Sequence, residues 1–91
     1  MSELTVNVEL KNELGLHARA AALFVKEASK YSSEIIVEKD NVKAEGKSIM
    51  SLMMLAAPKG SKLLIKAIGS DAQEAVNALI ALIENKFGED A

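Results

Sequence analysis

The chain has 91 residues, with 11 Lys and Arg against 13 Asp and Glu, a net charge of −2, no cysteine and one histidine. That length makes one domain spanning residues 1–91, and the near-neutral charge gives no electrostatic reason to expect nucleic acid or an anionic membrane as partner. Without cysteine there are no disulfides or thiol chemistry, and a single histidine leaves too few donors for an expected metal site.

In chain order, Leu4, Val6, Val8 and Leu10 alternate with Thr5, Asn7, Glu9 and Lys11, the period of a strand with one buried face. Residues 12–16 form a loop. From Ala18 the period changes. Ala18, Ala21, Ala22, Val25 and Ala28 recur at three- and four-residue spacing, which predicts a helix to about Lys30. Ser32 and Ser33 break it. Ile35-Ile36-Val37 make Glu34 to Lys39 a second strand. Asp40-Asn41 suit a tight hairpin turn into a short strand, Val42 to Glu45.

Ser48 to about Leu55 reads as a short helix with Ile49, Leu52 and Met53 at core spacing. Lys62 to Ile68 alternates as a fourth strand. Ser70 or Asp71 then opens the last helix with capping-box spacing. Gly88 is its expected C-terminal cap, and Glu89-Asp90-Ala91 are expected to fray. The order is βαββαβα, an α+β chain whose economical packing is a four-stranded antiparallel sheet with three helices on one face. The N-terminus lacks the pattern of a signal peptide and no apolar run approaches a membrane span, so a cytoplasmic protein is expected.

The chemistry concentrates in Leu14-Gly15-Leu16-His17-Ala18-Arg19-Ala20. It holds the chain's single histidine and single arginine, two residues apart, where a loop turns into a helix. The first amides of a helix have no partner inside it, and the dipole is positive at that end, so an anion is welcome there. A neutral imidazole is a nucleophile near pH 7, and a guanidinium can grip phosphoryl oxygens through two parallel N–H bonds. This pattern points to a histidine that takes a phosphoryl group. The competing reading is an ordinary polar surface histidine beside a solvated arginine.

Gly15-Leu16-His17-Ala18-Arg19 resembles the active-site signature of HPr, the histidine-containing phosphocarrier family of the bacterial phosphoenolpyruvate-dependent phosphotransferase system. Gly46-Lys47-Ser48-Ile49-Met50-Ser51-Leu52-Met53 resembles that family's regulatory-serine segment. The resemblance implies an open-faced β-sandwich with strand order 1-4-2-3, which the alternation pattern does not itself determine. It implies that His17 accepts a phosphoryl group on Nδ1 from phosphorylated enzyme I and passes it to sugar-specific enzyme IIA proteins. In that case Arg19, with the backbone amides of Ala18, Arg19 and Ala20, steadies its charge.

The protein is then a stoichiometric carrier with no cofactor, rather than an enzyme. A third reading, a small phosphatase working through phosphohistidine, lacks a base to activate water. Ala20 stands where the family usually has proline. Ser48 is a helix cap by chemistry and, by resemblance, a target of HPr kinase/phosphorylase. Ala20, Lys26, Lys47, Ile49, Met50 and Met53 form the expected docking patch for these partners and for transcriptional regulators. A monomer is expected. The alternative is a mainly regulatory HPr-like protein that reports carbon or nitrogen status through Ser48.

Overall fold

The computed structural model describes residues 2–91. Its elements are β1 (Glu3–Glu9), α1 (Ala18–Ala28), β2 (Glu34–Lys39), β3 (Val42–Glu45), α2 (Ile49–Met53), β4 (Lys62–Ile68) and α3 (Ala72–Glu84). The strands form one antiparallel sheet in the order β1-β4-β2-β3. This is the expected open-faced sandwich. Ile35 and Val37 of β2 and Leu63, Ile65 and Ala67 of β4 point to the helix side and are buried. The hairpin between β2 and β3 turns on Asp40 and Asn41, both with positive φ, as the short polar side chains permit.

α1 packs against α2 and α3, and α3 lies on β1 and β4. The buried stripe of α1 is Ala20, Ala21, Phe24 and Ala28, which shares only Ala21 and Ala28 with the predicted set. Ala18 is exposed and Ala22 and Val25 are only partly covered. The stripe is rotated so that Phe24, 2 % exposed, fills the space between helices and sheet. An alanine-rich helix fits several phases almost equally well, and the one large ring decides which face goes in. The helix also ends at Ala28, two residues short of Lys30.

In α2 only Leu52 is buried, so Ile49 and Met53 do not reach the core as their spacing suggested. Asp71 precedes α3 but makes no side-chain cap bond there. Its carboxylate turns instead to the loop before β2. Ser32 N donates to Oδ2 at 2.8 Å and Ser33 N to Oδ1 at 2.9 Å, while the Ser33 hydroxyl also donates to Oδ1. The capping-box reading therefore fails because Asp71 satisfies a different set of amides, 38 and 39 residues away.

The last helix stops at Glu84 rather than at Gly88. Lys86, Phe87 and Gly88 then adopt left-handed backbone, with φ of 56°, 55° and 78°. Two non-glycine residues there cost about 1–2 kcal/mol apiece. Burying the Phe87 ring, 4 % exposed, offsets this by about 1.5–3 kcal/mol. The plug redirects the chain so that residues 89–91 run back toward α1 instead of fraying. Among the described residues no helix is long and apolar enough to cross a membrane.

Two outcomes check this packing. Phe24→Ala should lower unfolding free energy by about 3–5 kcal/mol, read from a urea titration. The bonds to Ser33 and Ser32 hold the Asp71 carboxyl down at about 2. Its contribution is thus complete above the ordinary aspartate value, near ~3.9, and is lost as pH falls from there toward about 2. The stability gap between the wild type and Asp71→Ala should therefore shrink as pH falls through that window.

Candidate functional site

The loop before α1 is tied down from two directions. Leu16 is buried, and its N–H donates to the Ala57 carbonyl at 2.9 Å. Gly15 has φ +65°, and a Cβ there would lie 2.3 Å from the Ala57 carbonyl oxygen. Only glycine allows the loop to lie this close to the segment after α2. Inside the loop Asn12 is fully buried, and its Nδ2 donates to the Gly15 carbonyl at 2.7 Å. On the other side, Glu13 N donates to the Ala91 carbonyl at 3.0 Å.

This strapping places His17 at the N-cap of α1, with φ −79° and ψ −179° and no side-chain cap bond. The Ala21 N–H, donating to the His17 carbonyl at 2.8 Å, is the first to enter the helix ladder from that carbonyl. The amides of Ala18, Arg19 and Ala20 precede it. The imidazole is 26 % exposed and the Arg19 side chain 67 % exposed, so one is held and the other free to move. A shallow hollow of about 240 Å³, lined by Leu14, Leu16, His17, Ala56, Ala57 and Pro58, opens beside the ring. It is too open to keep water out of a reaction.

A residue that the sequence pattern had assigned to a fraying tail completes the site. The Glu89 side chain is 6 % exposed. Its Oε2 lies 2.5 Å from His17 Nε2 and 3.7 Å from Arg19 Nη2, and its Oε1 accepts from Asn12 Nδ2 at 2.9 Å. Burial pushes this carboxyl toward its neutral form. The hydrogen bonds from His17 and Asn12, with the charges of His17 and Arg19, outweigh that, and its pKa is lowered. The available sequence signal was Phe87, a large apolar residue four positions after Ile83 and followed by glycine.

The other expected site residues divide. Ala20 is fully buried against the core, so its side chain cannot belong to a docking patch, and its amide is covered here as well. Ile49, Met50, Met53 and Met54 are 42 %, 74 %, 43 % and 77 % exposed, and Leu14 is 65 % exposed. They make an apolar surface on α2 and the loop. Lys26 is exposed in the last turn of α1. Lys47 Nζ donates to the Tyr31 carbonyl at 2.7 Å. Ser48 caps α2, its hydroxyl accepting from Ser51 N at 3.2 Å.

Fold and site define a small α+β domain with one part-exposed histidine at a helix end. The family model described as "PTS HPr component phosphorylation site" matches residues 4–85. The phosphocarrier protein HPr of Neisseria meningitidis is 48 % identical over 94 % of this chain and 97 % of its own. The HPr-like protein Crh of Halalkalibacterium halodurans is 53 % identical over 87 % of this chain and 94 % of its own. Among solved structures, HPr-C-His from Thermoanaerobacter tengcongensis superposes with a TM-score of 0.90 at 54 % identity, covering all of both chains. An HPr dimer from the same organism gives 0.77 at 56 % identity, over 92 % of this chain and 97 % of its own. This chain belongs to the HPr family of phosphocarrier proteins of the phosphotransferase system. With a dimer among its solved relatives, the expectation of a monomer is not confirmed.

Gly15→Ala tests how the loop is held. The added methyl meets backbone, which cannot yield as a side-chain tip would. Stability should fall by about 1–3 kcal/mol, measured by urea denaturation.

Proposed function

We propose that this protein carries a phosphoryl group on His17 from phosphorylated enzyme I to enzyme IIA proteins. The observation that supports it most is the placement of a part-exposed imidazole at the N-terminus of α1, with Arg19 beside it. In the transfer, a ring nitrogen bonds to phosphorus as the donor's bond to phosphorus breaks. The PO₃ unit moves in line between two nucleophiles. Arg19 swings from its long contact with Glu89 to the phosphoryl oxygens, which its exposure allows. The amides of Ala18 and Arg19 add partial positive charge, and Ala20 contributes its amide only if the helix end is uncovered.

The open hollow suits a carrier, because the group must remain accessible to the next acceptor. The exposed methionines of α2 suit docking to several partners, since their flexible side chains can repack against different surfaces. Lys26 is exposed and Lys47 precedes the α2 cap in the chain, which leaves both open to a partner, whereas the buried Ala20 is not.

A second reading is favoured by the similarity to the HPr-like protein Crh. Here Ser48 is phosphorylated by an ATP-dependent kinase and the protein mainly signals through regulators. The cap position supports this partly: phosphate on the Ser48 oxygen would stay near the first amides of α2, and Lys47 would have to leave Tyr31 to reach it.

Incubation with enzyme I and phosphoenolpyruvate separates the readings. An acid-labile adduct is expected on the wild type and none on His17→Ala; an adduct surviving in that variant would overturn the carrier reading. Arg19→Lys should slow transfer by about tenfold or more, because an ammonium cannot make the planar two-bond contact. Ser48→Ala should cost about 1 kcal/mol of stability through the lost cap. Transfer through His17 should survive it.

A further inference from the structure

Among the described residues, Glu89 is the carboxylate that the fold buries against His17, and the carrier reading gives it no task. Its two oxygens have different partners. Oε1 accepts from Asn12 Nδ2, whose other hydrogen goes to the Gly15 carbonyl. Oε2 faces His17 Nε2 at 2.5 Å. An ionised carboxylate can only accept, so the proton in that second contact belongs to the ring. When the ring is neutral it carries one proton, and this contact favours placing it on Nε2.

We propose that Glu89 is a positioning residue for His17: by holding Nε2–H it leaves the lone pair on Nδ1, the nitrogen that attacks phosphorus. This rests on the phosphocarrier reading. It goes further by giving this chain's own tail a part in choosing the nucleophilic atom.

Three features support it. First, Asn12 is fully buried and its amide nitrogen is committed twice, so the orientation of the Glu89 carboxylate is fixed from behind. Second, Phe87 anchors the tail in the core two residues before Glu89, and Glu13 N holds the Ala91 carbonyl two residues after it. The carboxylate therefore sits on a segment pinned on both sides. Third, the hydrogen bonds from His17 and Asn12 oppose the effect of burial and hold the Glu89 pKa down, so that it is an acceptor at neutral pH.

When Nδ1 takes the phosphoryl group, its lone pair forms the new N–P bond and the ring becomes an imidazolium. Nε2 keeps its proton, and Glu89 faces the positive ring. The arrangement is a carboxylate–histidine pair in which the carboxylate orients and stabilises the ring without itself taking the proton.

Glu89→Gln gives a sharp test, because it replaces one acceptor with a donor at almost the same shape. Asn12 Nδ2 still demands the oxygen, so the new NH₂ faces Nε2 and favours the Nδ1–H tautomer. Glu89→Ala removes the constraint without reversing it. With histidine labelled in ¹⁵N and the ring neutral, long-range proton–nitrogen correlation should show Nε2 protonated in the wild type. In Glu89→Gln the proton should shift toward Nδ1.

Phosphorylation of His17 by enzyme I and phosphoenolpyruvate should be about tenfold slower in Glu89→Ala, which loses the charge-assisted hydrogen bond that orients the ring and faces the imidazolium formed on transfer, and slower again in Glu89→Gln, where the ring proton moves to Nδ1. A role confined to holding the tail would lower the thermal midpoint in both variants without moving the ring proton. An Nδ1–H tautomer in the wild type, or wild-type rates in Glu89→Gln, would overturn the proposal. If the wild type took no phosphoryl group at all, the carrier reading would fail, and the tautomer measurement would still decide what Glu89 does to the ring.

Discussion

The buried hydrogen-bonded chain from Gly15 through Asn12 and Glu89 to His17 is the constraint on which the site depends. It joins three separate parts of the molecule: the loop before α1, the N-cap of that helix, and the segment after α3. Each would be mobile alone. Loops are ordered by what they can bury or bond, and this loop buries little apolar surface apart from Leu16. Where the groups of a buried polar network are paired, it can hold a geometry more sharply than apolar packing does. Here it holds an imidazole, and in the proposed transfer a misplacement of about 1 Å would cost rate.

The network is not saturated. Asn12 Oδ1 is buried without a hydrogen-bond partner among the described residues. Such an acceptor costs stability in a domain of modest size. The fold tolerates it because turning the Asn12 amide over would set its oxygen against the Gly15 carbonyl and Glu89 Oε1. One unpaired oxygen is the lesser cost. The same balance appears in the tail, where two left-handed non-glycine residues are accepted so that Phe87 can be buried and Glu89 delivered.

Much of this was legible in the chain before any coordinates. The three strands from Glu34 onward matched their predicted limits, because short alternating runs bounded by Gly, Asn or Ser leave few choices. His17 and Arg19 stood out as the sole examples of their types beside a glycine and a helix start. The sequence signal ran out where contacts are distant or residue types are uninformative. Asp71 looked like a cap, yet its partners lie in another loop, and nothing local reveals that. The phase of α1 was ambiguous because alanine fits both core and surface. Glu89 was read as a fraying end because charged residues after a glycine usually are, and its partner is 72 positions away.

The most direct test of the account is the phosphorylated protein itself, with histidine carrying ¹⁵N. Phosphorus–nitrogen coupling should appear at Nδ1 of His17, with Nε2 still bearing its proton. Coupling at Nε2 instead, or a phosphoryl group found on another residue, would contradict the geometry described above.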